Sequence, residues 1–157
     1  MMSDRLLIDT NLLLVMIIGA VDEGRYIERS KRLGQFCAED YYQLWEFAGN
    51  YKEVWITPYI AAEVSNLIDL DGYAGIKAFE FTRELFAEFK QVEVSISEDC
   101  RGELFIRFGL TDNSIIKLAK DNDLDILTND HRMLVSLYDA SPEHIVPYIP
   151  IKSRPGN

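Results

Sequence analysis

Leu6-Leu7-Ile8-Asp9-Thr10-Asn11, followed at once by the apolar run from Leu12 to Val21, is the stretch that decides the fold of this chain. A short apolar run that ends at an acid reads as a buried parallel strand, Arg5 to Ile8. Asn11 is placed to cap the helix that follows, Leu12 to about Ala20. The apolar run is about half of the ~20 residues that a membrane span needs. Asp4 and Asp9 stand where a signal peptide carries basic residues, and Asp9-Thr10-Asn11 interrupts the apolar run, so a leader is not expected.

Further strand–helix units follow. Val54-Trp55-Ile56 is a brief strand, and Thr57-Pro58 is a helix start, Thr as N-cap and Pro at the first helical position. That helix is expected to run to about Leu70 and a second from about Ala74 to Lys90. The alternation of Val92, Val94 and Ile96 with polar residues predicts a strand. Helices are expected from Ser97 to Phe108, ended by Gly109, and from a Thr111 cap to about Lys120. Asp125 to Thr128 is a short apolar strand, His131 to Tyr138 a helix, and Ile145 to Ile149 an edge strand, because Pro147 forbids a central one. Val21 to Asn50 is less regular, with one or two helices. Strands alternating with helices predict an α/β chain, a three-layer α/β/α sandwich around a mainly parallel sheet.

The 157 residues fit one domain, 1–157, with 152–157 as a frayed tail. Hydrophobic residues make up 48% of the chain, enough for a core and against disorder. The formal net charge is −10 and the pI near 4.6, the reverse of a generic nucleic-acid binder's basic footprint. Any nucleic acid must be met by a local basic patch, a bound metal or a basic partner. The best patch in the chain is Arg25, Arg29, Lys31 and Arg32. Cys37 and Cys100 form no CxxC pair and, with His131 and His144, no zinc-ligand spacing. A reduced, cytoplasmic chain with two free thiols is the expectation.

Four acids stand where chemistry is expected: Asp9 and Asp130, each directly after a parallel strand, and Glu63 and Asp112, each on a helix. Singly, each has a structural explanation: a strand end, a helix-dipole partner, a cap. Helical geometry argues otherwise for two of them. Glu63 flanks the stripe Ile60, Val64, Leu67 and Ile68, and Asp112 lies in line with Ile115, Ile116 and Ala119. A carboxylate on a buried face is costly unless paired or metal-bound. Ligands of open α/β sheets collect at the carboxyl ends of the strands. Convergent carboxylates repel, a divalent cation relieves that repulsion, and oxygen-rich sites suit Mg²⁺ or Mn²⁺.

The chain resembles the PIN-domain nucleases over about Leu6 to Ile149. The resemblance is carried by Leu-Ile-Asp-Thr-Asn at 7–11, Thr-Pro-Tyr-Ile-Ala-Ala-Glu-Val at 57–64, Gly-Leu-Thr-Asp at 109–112 and Leu-Thr-Asn-Asp at 127–130. It implies a metal-dependent endoribonuclease that leaves 3′-hydroxyl and 5′-phosphate ends. Asp9, Asp112 and Asp130 would hold one or two Mg²⁺ or Mn²⁺ ions, with Glu63 a further ligand or the group orienting the attacking water. Asn11 and Thr128 would orient those acids from behind. The chain is similar to the toxins of type II toxin–antitoxin pairs, which implies an antitoxin protein and a homodimer as partners. It departs from the shortest of them in a longer segment between Asp9 and Glu63, which holds the basic cluster and the aromatic stretch Tyr41 to Phe47.

A catalytically inactive PIN-like module that binds RNA or a partner protein is the alternative. Other chemistries find less support. An aspartyl-phosphate nucleophile at Asp9 lacks a second acid two residues on. Gly19, Gly24 and Gly34 form no phosphate loop. The Ser/His and Cys/His pairs lack a third orienting partner. His131 reads as a surface residue and the aromatic stretch as packing.

Overall fold

The computed structural model describes residues 2–156. Among these, five strands form one parallel sheet: β1 (Arg5–Ile8), β2 (Glu53–Ile56), β3 (Lys90–Gln91), β4 (Asp125–Thr128) and β5 (Ile145–Pro147). Their order across the sheet is β3-β2-β1-β4-β5, and every neighbouring pair is parallel. The chain therefore builds outward from β1 to one side, crosses back, and builds outward to the other. The direction reverses between β1 and β4, and in open α/β sheets the crevice that takes ligands lies at such a point, outside the carboxyl ends of the strands.

Seven α-helices are described: α1 (Thr10–Gly19), α2 (Ala38–Ala48), α3 (Pro58–Leu67), α4 (Gly72–Glu88), α5 (Ile96–Asp99), α6 (Glu103–Asp121) and α7 (His131–Ala140). α1 packs against α2, α3 and α4; α6 packs against α7 and α3. The result is an α/β/α sandwich with an all-parallel central sheet. β1 and β4 are buried almost throughout, as their unbroken apolar runs require.

The apolar run after Asp9 is explained by α1. Every residue of that helix except Asn11 is buried. A helix that is apolar all round must be covered on all sides, and α1 lies inside the protein. No described helix is long and apolar enough to cross a membrane.

Several boundaries differ from expectation for local reasons. α1 begins at Thr10, because Asp9 takes the cap position meant for Asn11 and its carboxylate accepts from Thr10 N at 2.7 Å. α3 stops at Leu67, and Gly72, with φ 57, opens α4 instead of closing α3. No strand forms at 92–96; the strand lies just before it, at Lys90–Gln91, Val92 alone of the expected stretch is buried, and Ile96 is exposed as the first residue of α5. The segment 21–50 holds two short 3-10 turns (Ile27–Arg29 and Lys31–Leu33) and α2. Tyr41, Trp45 and Phe47 of α2 pack on the core, and Trp45 Nε1 donates to the carbonyl of Met16 at 3.2 Å. Residues 152–154, expected to fray, continue a 3-10 turn, and Arg154 donates to Gln43 at 2.9 Å.

Two acids outside the crevice are buried ties with full sets of donors. Asp40 accepts from Cys37 N, Tyr148 Oη and Ile151 N. Asp125 accepts from Tyr51 Oη and Ser3 N and pairs with His144 Nδ1. Buried polar groups that are satisfied in this way stabilise a unique arrangement. Cys37 and Cys100 are free thiols.

Candidate functional site

β1 and β4 lie side by side with Ile8 opposite Leu127, so the residues that follow each strand emerge together. Asp9 is the first of them and is 6% exposed. Its two carboxylate oxygens are held separately: one accepts from Thr10 N at 2.7 Å, the other from the Thr128 hydroxyl at 2.7 Å. Thr128, fully buried at the end of β4, accepts in turn from Asp130 N at 3.0 Å. One hydroxyl thus links the two strand-end acids. Asp130 then caps α7, accepting from Arg132 N at 3.0 Å.

The other two acids come from helices. Thr57 caps α3 by accepting from Ile60 N at 3.1 Å, and Pro58 takes the first helical position. That start sets the phase of the helix: Ile60 and Val64 face the core, and Glu63 lies half-buried beside them. Asp112 sits in α6 just past a break at Gly109, whose φ of 86° and ψ of −176° belong to a backbone region almost closed to other residues. Gly109 thereby ends one helical segment and starts another, with Asp112 in the first turn of the second. Thr111, expected as a cap, instead donates its hydroxyl to the Glu63 carboxylate and joins α6 to α3.

The charges of the four acids act on one another. Burial pushes the Asp112 carboxyl up to about 7, and the charges of Asp9, Asp130 and Glu63 push in the same direction; Arg132 opposes them. Glu63 is raised by burial and then by the charge of Asp9. Asp9 is raised by burial, against which the bonds from Thr128 and Thr10 act, and the Asp130 charge adds to the rise. Like charges with little counter-charge favour the neutral acid.

Two further oxygens lie at this end of the sheet. Thr10 Oγ1 and Asn129 Oδ1 are buried without a hydrogen-bond partner among the described residues, and each is the chain neighbour of a strand-end acid. The donor set is all oxygen, which fits a hard divalent cation such as Mg²⁺ or Mn²⁺. Among the described residues no three His, Cys, Asp or Glu side chains already stand in a metal-holding group. The bonds from Thr10 and Thr128 orient Asp9, and the bond from Thr111 orients Glu63.

The remaining sequence-predicted residues are placed as follows. Asn11 is exposed at the second position of α1 and caps nothing. Arg25, Arg29, Lys31 and Arg32 are all exposed on the turns after α1. That segment is tied to Asp69, past the end of α3, by Ser30 Oγ at 2.8 Å and Lys31 N at 3.0 Å. The cation whose charge acts on Asp112 is Arg132, not one of these four. Sequence reasoning missed Arg132 and Thr111. It also missed Asp99, 4% exposed, which accepts from Tyr59 Oη at 2.7 Å one turn before Glu63, and whose carbonyl accepts from Asn113 beside Asp112. Nothing in Ser97-Glu98-Asp99 marks the third residue as buried. Thr111 carried a signal, since it adjoins a candidate acid. No known family model and no curated protein matches this chain.

Proposed function

We propose that this protein is a metal-dependent endoribonuclease of PIN type. The observation that carries the reading is the shared field of Asp9, Glu63, Asp112 and Asp130 at the crevice where the sheet reverses direction. Thr128 joins Asp9 to the backbone of Asp130, Thr111 joins α6 beside Asp112 to Glu63, and the charges of Asp9, Asp130 and Glu63 all act on Asp112, a repulsion that is costly unless something positive is bound among them.

Asp9, Asp112 and Asp130 would hold Mg²⁺ or Mn²⁺, with Glu63 a further ligand or the group that orients water. When bound, the cation supplies charge neutralisation at a phosphate oxygen and activation of water for attack on phosphorus. The chain's own residues do the rest. Thr128 fixes the orientation of Asp9 and the backbone of Asp130. Thr111 fixes Glu63. Asp112, with its carboxyl raised to about 7, can accept or release a proton near neutral pH in the metal-free protein. The products are a 3′-hydroxyl and a 5′-phosphate, the substrate is RNA, and the compartment is the cytoplasm. A toxin role, with an antitoxin as partner, is the biological setting we favour.

The test is cleavage of a generic single-stranded RNA by the full chain in Mn²⁺, Mg²⁺ or EDTA. Metal-stimulated cleavage that Asp9→Asn abolishes supports the reading. Cleavage that persists in EDTA or in Asp9→Asn overturns it. The alternative is an inactive module that binds RNA or a partner protein. RNA binding with no cleavage in either metal selects that alternative.

A further inference from the structure

An acidic protein that acts on RNA needs a cation close to its acids, and Arg132 meets that need. It is the second residue of α7, and its side chain is 72% exposed. Its Nε lies 3.5 Å from Asp130 Oδ1, and its charge acts on Asp112. The guanidinium therefore stands beside Asp130 and within reach of the charge on Asp112. No hydrogen bond holds its two terminal nitrogens among the described residues. The planar fork of Arg matches the paired oxygens of a phosphate, and one edge can hold Asp130 while the other takes a ligand.

The position is also unfavourable for a cation on local grounds. The first turn of a helix carries the positive end of the dipole and favours acids. α7 has no acid in its first turn and instead carries His131 and Arg132 there, both exposed. Departures from local preference are expected at functional sites. The structure offers Arg132 no buried contact: its neighbour Asp130 already caps α7 by accepting from the Arg132 backbone N–H.

We propose that Arg132 binds a backbone phosphodiester of single-stranded RNA and holds the strand against the acid crevice. The proposal rests on the ribonuclease reading for its substrate class. It assigns the RNA contact nearest the acids to α7, whereas the exposed Arg25, Arg29, Lys31 and Arg32 supply at most a more distant surface.

Binding of a 5′-labelled 20-nucleotide single-stranded RNA to the full chain is measured in EDTA, across salt concentrations, with intact RNA checked on a gel. Arg132→Ala is expected to weaken binding by about tenfold or more, the effect of losing one charge-assisted contact. It should also reduce the slope of log affinity against log salt by about 0.7, the value for one phosphate on a single strand. Arg132→Lys should keep the slope. Arg132→Gln, which keeps length and polarity, should behave as Arg132→Ala, and matched melting curves show that both variants fold. Wild-type affinity and slope in Arg132→Ala overturn the proposal, as does the absence of RNA binding by the wild-type chain. If the wild type binds RNA with the Arg132-dependent slope yet cuts none in Mn²⁺, the ribonuclease reading falls and the phosphate contact stands. If it cuts in Mn²⁺ and Arg132→Ala binds and cuts equally well, the reverse holds.

Discussion

Thr128 Oγ1 donates to Asp9 Oδ2 at 2.7 Å, joining residues 119 apart in the chain. The same oxygen accepts from Asp130 N, so the hydroxyl couples the ends of β1 and β4. Both groups are buried, and among the described residues the bond is one of two that the Asp9 carboxylate accepts. Thr128→Val keeps the shape and removes the donor. It should destabilise the fold by about 1–3 kcal/mol, the cost of leaving a buried polar partner unsatisfied. Thr128→Ser should recover most of that loss. Urea denaturation of the three proteins at pH 7 measures it; equal midpoints would show that the bond contributes nothing.

Divalent cations should stabilise the protein. A ligand that binds the native state alone raises its stability by mass action, about 2.7 kcal/mol at a hundred times the dissociation constant. Melting temperature should therefore climb with Mn²⁺ or Mg²⁺. Asp112→Asn removes one of four mutually repelling charges, so it should melt higher than wild type without metal and respond less to added metal. A full metal response in that variant would remove Asp112 from the ligand set.

The metal-free protein should lose stability as pH rises through the neutral range. The Asp112 carboxyl stands at about 7 in the fold against an ordinary 3.8. The native state therefore binds more protons than the unfolded state between those values, and stability falls with rising pH. The advantage is complete below about 4, is lost progressively up to about 7, and levels off above. Asp112 is only partly buried, so solvent screening makes the effect smaller than the full separation of the two values implies. Asp112→Asn should flatten that part of the profile. A wild-type profile that rises between pH 4 and 7 in EDTA would contradict the sign.

Gly109 fixes where α6 breaks, and so where Asp112 points. Nothing lies within 4 Å of a Cβ added there, so the effect of Gly109→Ala is one of backbone strain alone. Its φ of 86° with ψ near 180° should make the substitution cost about 1–3 kcal/mol. The strain is relieved if the segment shifts, which moves Asp112 and should weaken metal binding as well. Denaturation together with metal titration reads both effects.

Much of this architecture was legible in the sequence because its signals are local. The apolar runs at 5–8 and 125–128 are strands because nothing else that short buries so completely. Thr57-Pro58 sets its helix by direct chemistry. The apolar stripe around Glu63 is enough to place that acid beside the core. What was not legible depends on partners distant in the chain. Thr111 looks like a cap until α3 brings Glu63 to its hydroxyl. Asn11 looks like a cap until Asp9 takes the position. The alternation at 92–96 imitates a strand, but only Val92 finds the core. Arg132 follows a candidate acid, and its meaning emerges only once Asp112 lies within reach of its charge.

The central claim is that the four acids bind a divalent cation, and an anomalous difference map from a Mn²⁺-soaked crystal addresses it directly. The account predicts a peak in the crevice between the ends of β1 and β4. Carboxylate oxygens from at least two of Asp9, Glu63, Asp112 and Asp130 should lie at about 2.0–2.6 Å from it, the range for hard cations on oxygen. A map at saturating Mn²⁺ with no peak there, or with Mn²⁺ bound only to acids elsewhere on the surface, would contradict it.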